Sequence, residues 1–184
     1  MSKRIALLTA AAFGALALTA TIVAPVNAQE KTVMVGGAAM FPSRNIIQNA
    51  VNSKDHTTLV AAVKAAGLVD TLEGKGPFTV FAPTNAAFGK LPEGTVDSLV
   101  KPENKATLTK ILTYHVVPGK LEASDLSDGK KLKTIEGEEL TVKKANGKVM
   151  IVDAKGDTAT VTISNVNQSN GVIHVVDTVL MPAS

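Results

Sequence analysis

The sequence predicts an α+β domain, on the strength of two periodicities and the order in which they occur. Apolar residues recur at helical spacing in the first half, at Leu59, Ala62, Val63 and Ala66 and again at Leu108, Ile111 and Leu112. From Lys131 onward they alternate instead, as in Leu140 and Val142, Val149 and Ile151, Val161 and Ile163. Helices gathered in one half and strands in the other point to segregated layers rather than βαβ units.

The N-terminus reads as an export signal. Lys3 and Arg4 precede residues 5–23, which carry no charge and are rich in Ala and Leu. Pro25 breaks the run, and Val26-Asn27-Ala28 offers small residues around a cleavage point. That order predicts a signal peptide over residues 1–28, cut after Ala28. An uncharged stretch of this length could just span a bilayer. Its Ala and Thr content, and the small-x-Ala site directly after it, favour cleavage and a secreted or periplasmic product. Lys3 and Arg4 account for two of the three net positive charges, so the basic balance belongs largely to the leader. The chain has no Cys. It therefore has no disulfide and no lipid-bearing thiol, and packing alone must hold the fold.

Residues 29–42 form an N-terminal arm with Gly36-Gly37 and Pro42, expected to be partly extended. Residues 43–184 are expected to be one domain. Ser43 offers a cap for a short helix over 44–51, and residues 55–58 offer caps for the next helix, which Gly67 ends. A turn at residues 74–77 releases into Phe78-Thr79-Val80-Phe81-Ala82, a β-rich run that Pro83 stops. Thr84 caps a short helix with Ala87 and Phe88. Pro102 starts a helix that carries His115 on its apolar face, and Val116-Val117-Pro118-Gly119 ends it. Antiparallel strands follow, two of them joined by an Asn146-Gly147 turn. The last strand has apolar residues on both faces: Val172 and Val176 with His174 on one, Ile173 and Val175 on the other. It is therefore expected to lie centrally, covered on both sides.

Three segments resemble the fasciclin (FAS1) family. Phe78-Thr79-Val80-Phe81-Ala82-Pro83-Thr84-Asn85-Ala86-Ala87-Phe88 is similar to its first signature, Tyr114-His115 to its central pair, and Asn170-Gly171-Val172-Ile173-His174-Val175-Val176-Asp177 to its second signature. They stand in the family's order within one domain. The resemblance implies a β-wedge of short strands packed with a layer of short helices. It also marks Tyr114 and His115 as the candidate binding pair. A second adhesion-associated stretch departs from the family pattern: Asn165-Val166-Asn167 stands where an acidic residue is usual, and there is no Arg-Gly-Asp. Integrin binding is accordingly not expected.

The residues offer little chemistry. His56, His115 and His174 lie far apart with no ligand-spaced partner, so no metal or cofactor is expected. No Gly-x-Ser-x-Gly, His-Glu-x-x-His or Walker loop occurs, and no enzyme is expected. His115, on an apolar helix face, reads first as a core residue bonded to backbone, and His174 likewise. The acidic turn at residues 136–139 reads as solvated. With no Lys/Arg run, one Tyr, five Phe and no Trp, nucleic acid is not expected as a partner. The leading expectation is a non-catalytic adhesion or extracellular-matrix module that meets a cell-surface or matrix protein or polysaccharide. The alternative is a carrier of an apolar small molecule, carotenoid- or lipid-like, with Met34 to Phe41 lining a tunnel or flap. The bland reading of that arm is an ordered linker.

Overall fold

The computed structural model describes residues 31–183. The expected signal peptide and its cut after Ala28 lie outside the described residues. The arm is a two-stranded hairpin, β1 (Val33–Val35) and β2 (Ala38–Met40), turned at Gly36-Gly37 with both φ angles positive. Val35 and Met40 point inward and join the core, so the segment does more than link.

The helical layer follows. Helix α1 (Ile46–Ala50) starts two residues later than Ser43 would place it. Asn45 caps it instead: its side chain accepts from the Gln48 N–H at 2.8 Å, and Gln48 Oε1 accepts from the Asn45 N–H at 3.1 Å. This reciprocal pair is a capping box. Helix α2 (Thr57–Ala66) buries Leu59, Ala62, Val63 and Ala66, the face its periodicity predicts, and ends at Gly67 in the left-handed region. Its cap is not local. Asn85, the first residue of a later helix, accepts the Thr58 N–H at 3.0 Å. Helix α3 (Val69–Glu73) leads to strand β3 (Phe78–Pro83). Thr84 caps α4 (Asn85–Gly89) by accepting from the Ala87 N–H. Helix α5 (Thr95–Leu99) and a 3-10 turn at Pro102–Asn104 precede α6 (Lys105–Tyr114).

The remaining strands are β4 (Val116–Pro118), β5 (Lys131–Lys133), β6 (Glu139–Ala145), β7 (Lys148–Val152), β8 (Thr158–Gln168) and β9 (Gly171–Val176). The segment expected only to end α6 is thus itself a strand: two buried valines extend the sheet beside β3. All seven strands form one sheet in the order β4-β3-β9-β8-β7-β6-β5. The Ile135 N–H donates to the Val116 carbonyl at 2.8 Å. The two edges are thereby drawn together into a nearly closed wedge.

One pairing departs from the antiparallel expectation. β3 and β9 run parallel, Phe78 opposite Gly171 through Pro83 opposite Val176. The long helical and β excursion between them lets the chain return in the same direction, which a hairpin cannot do. Gly171 makes the contact possible. A Cβ there would lie 2.0 Å from the Phe78 carbonyl oxygen. The acidic turn is less solvated than its composition suggests. Glu136 is 11% exposed and stands 3.5 Å from Lys110 Nζ, while Glu138 accepts the Ala183 N–H at 2.8 Å. Compact turns place these carboxylates beside partners the sequence separates widely.

The two central strands divide the interior in two. Val80 and Ala82 of β3, with Ile173 and Val175 of β9, face the helical layer and the hairpin. Phe81 and Val176 face the other way, toward Leu126, Leu140, Val142, Ile151 and Ala159 inside the wedge. Each large apolar side chain buried this way contributes about 1.5–3 kcal/mol.

Candidate functional site

Tyr114 closes α6, and His115 is its C-cap residue. Tyr114 is 0% and His115 2% exposed. Though adjacent, they serve different cores. Tyr114 packs inside the wedge. Its hydroxyl donates to the Glu139 carbonyl at 3.3 Å and accepts from the Ala154 N–H at 2.9 Å. Burial, with smaller contributions from Asp153, Glu138 and Glu136, pushes its pKa up to about 12, against the Ala154 bond. His115 borders the helical core. The Leu180 N–H donates to its Nε2 at 3.0 Å, so the proton sits on Nδ1, which donates to the Ile111 carbonyl at 2.8 Å. Burial lowers its pKa to about 4, opposed by the Ile111 bond and Asp153. Beside them Asp153 accepts the Met181 N–H at 2.9 Å and the Lys155 and Asp157 N–H groups. Together these groups tie the end of α6 to the C-terminal segment and to the β7–β8 turn.

His174 is the matching brace on β9. Its ring stacks on Phe81 with centroids 5.7 Å apart. The Leu121 carbonyl accepts from Nε2 at 2.8 Å, and Nδ1 accepts weakly from the Asn165 N–H at 3.4 Å. Burial lowers its pKa. Asn165 holds a positive φ of 56° and accepts the Ala123 N–H at 2.7 Å. An amide thus does structural service at this position. Thr79 pins the same loop by donating to Gly119 and accepting from Leu121. His56 differs. Ser53 Oγ meets its Nδ1 at 2.8 Å, but its Nε2 faces the Ala82 backbone without hydrogen-bond geometry. Burial lowers its pKa too. It lines an apolar cavity of about 40 Å³ shared with Val35, Met40, Ile46, Ala82 and His115. Among the described residues, no group of three His, Cys, Asp or Glu converges to hold a metal.

The fasciclin domain model matches residues 54–182. The chain belongs to the fasciclin family. Protein sll1483 of Synechocystis sp. is 48% identical over 181 residues, covering 98% of this chain and 97% of its own. Immunogenic protein MPB70 of Mycobacterium bovis is 38% identical over 138 residues, 72% of this chain and 66% of its own. Cell surface glycolipoprotein MPB83 of the same species is 40% identical over 153 residues, 80% and 64%. The chain thus spans just under two thirds of these mycobacterial relatives. A solved FAS1 domain pair from the insect cell adhesion molecule fasciclin I shares the fold. Its TM-score is 0.69 at 19% identity, over 77% of this chain and 52% of that one.

The fasciclin signatures contain two clamps that motif reading passed over. Asn170 accepts the Ile46 N–H at 3.1 Å and donates to the Leu72 and Gly74 carbonyls at 2.7 and 2.8 Å. It thereby fastens α1 and α3 to the β8–β9 turn. Asn85 does the same for α2, donating to the Lys54 carbonyl at 2.9 Å. A third, Asn49, lies outside the signatures. It binds both backbone groups of Phe41 and donates to Gln168. The available signal was an asparagine inside each mainly apolar signature. A buried amide is tolerated only where its donors and acceptors are met.

Proposed function

We propose that this fasciclin protein is an exported, non-catalytic adhesion or extracellular-matrix interaction module. Its partner is a cell-surface or matrix protein or polysaccharide, and mature protein begins at Gln29. One observation supports binding over catalysis. The Tyr114 hydroxyl and both ring nitrogens of His115 and His174 are engaged in internal hydrogen bonds. Groups held this way stabilise the fold, and among the described residues the Ser53–His56 pair is buried rather than open to a substrate. What remains for recognition is the outer surface. A cell surface glycolipoprotein among its relatives favours the same reading. Among the described residues no helix is long and apolar enough to cross a membrane. In this reading Tyr114 and His115 act by holding the module together rather than by touching a partner. The test is adhesion of the purified protein, immobilised on a surface, to cells and envelope fragments of its source. Retention well above a heat-unfolded control is expected, and its absence refutes the proposal.

The cavity favours a second reading, the apolar carrier. Val35 and Met40 of the hairpin form part of its wall. At about 40 Å³ the closed space has room for only a few heavy atoms. A carotenoid- or lipid-sized ligand would require the hairpin to lift. Protein purified from its source and examined by absorbance and mass spectrometry checks this. A stoichiometric pigment or lipid would replace the adhesion reading.

A further inference from the structure

Strands β5 to β8 carry five lysines and one carboxylate, Glu139. Their arrangement is ordered. Leu132, Leu140, Val142, Ile151 and Ala159 point into the wedge, so alternate residues point out. The outward set includes Lys131 and Lys133 on β5, Lys143 on β6 and Lys148 on β7. Pairing aligns Lys133 with Glu139, Lys131 with Thr141, and Lys148 with Ala145. Measured along β6, the four lysines therefore fall at positions 139, 141, 143 and 145, one in every outward row. They make a diagonal line across three strands, stepping about 7 Å per row and spanning about 20 Å. Lys144, the fifth, reaches instead to the Ala123 carbonyl.

Glu139 neutralises Lys131, one row in from the end, with Nζ at 3.3 Å, so the free cations stand at rows 139, 143 and 145. Lys133, Lys143 and Lys148 are exposed and form no ion pair among the described residues. Between and beside them the face is flush. Met150 and Val152 are half-buried, and Thr141, Thr158 and Thr160 carry outward hydroxyls.

We propose that this face of β5 to β8 is a docking surface for an extended acidic polysaccharide. Three free cations spread over about 20 Å fit a linear polymer with repeating carboxylates better than a single anion, and charge complementarity supplies the attraction. The threonine hydroxyls can bond to sugar hydroxyls. A membrane is a poorer fit, because the apolar side chains on this face, Met150 and Val152, are half-buried between lysines and threonines rather than projecting into lipid. Nucleic acid is poorer too, because the face has no aromatic ring to stack on a base. This inference rests on the adhesion reading and gives its partner a chemistry.

The experiment measures binding to polygalacturonate, neutral dextran, phosphatidylglycerol vesicles and single-stranded RNA at low and physiological salt. The wild-type chain is expected to bind polygalacturonate, to weaken as salt rises, and to ignore dextran. The variant K133Q/K143Q/K148Q should keep its melting temperature and lose about tenfold in affinity, since each exposed charge contributes modestly. A charge-matched control, K64Q/K75Q/K101Q on the helical side, should bind as wild type. Equal loss in both variants overturns the proposal, as does tighter binding to vesicles or RNA through the same lysines. Adhesion to cells separates the two readings. Full adhesion by the β-face variant sinks this surface and leaves the adhesion reading intact. Polymer binding without any adhesion by wild type does the reverse.

Discussion

The two cores that meet back to back on β3 and β9 are built differently. Inside the wedge, Phe81, Leu126, Leu140, Val142, Ile151 and Ala159 are fully enclosed. The Tyr114 hydroxyl that reaches into it is satisfied as donor and acceptor, and both ring nitrogens of His174, stacked on Phe81, are bonded. On the helical side, five-residue helices and a hairpin of three-residue strands share with the ten-residue α2 and α6 the covering of the same two strands. Short elements tile an irregular surface poorly, and a cavity with the unbonded His56 Nε2 on its wall remains there. The contrast teaches where rigidity and tolerance lie. The wedge sets the geometry, and the helical layer and hairpin are where the interior can adapt.

The largest effect should come from Phe81→Ala. It removes a fully buried ring and its stacking on His174, and should cost about 3–5 kcal/mol. Melting should fall by about 10 °C or more. A drop of only a degree or two would mean that the wedge core is looser than described.

The next effect is of pH. The folded-state pKa of His115 is lowered from 6.5 to about 4, so the unfolded chain takes up its proton first as pH falls. The contribution is fully present above pH 6.5 and is lost on the way down to about 4. It amounts to roughly 3 kcal/mol. His56 and His174 are shifted the same way and steepen the loss. Urea titrations at pH 7.5 and 4.5 should show it, and His115→Gln should flatten the slope. Equal stability at both pH values would contradict the neutral, backbone-bonded ring.

The smallest effect sharpens the comparison most finely. Val35→Ile adds one methylene beside the cavity and should be neutral or gain about 0.5–1 kcal/mol. Val142→Ile adds the same group inside the wedge and should cost about 1–3 kcal/mol. Equal costs would erase the difference between the cores.

Much of this architecture could be read in advance, where the signal was local. The α2 face, the Thr84 cap and the Asn146-Gly147 turn depend on residues a few positions apart, and they appear as read. The double covering of β9 was visible because apolar side chains occupy both of its faces. Long-range matters were not visible. Nothing near residues 55–58 announces that Asn85 caps α2, and nothing in Val116 to Pro118 separates a helix stop from an edge strand. The parallel β3–β9 pair depends on how the intervening chain returns. At the candidate site, helical spacing placed His115 on an apolar face, but which backbone groups it would hold required the folded chain. The Leu180 partner is 65 residues away.

The central claim is that Tyr114 and His115 hold the module together while its outer surface makes the contacts. His115→Ala tests it most directly, with melting temperature and cell adhesion measured on the same preparation. The void and the stranded Leu180 N–H should together cost on the order of 2–4 kcal/mol. That predicts melting lower by about 5–12 °C, with adhesion unchanged at temperatures where the variant is still folded. A variant that melts within about 2 °C of the parent yet fails to adhere would contradict the account and make the Tyr114–His115 segment the recognition surface.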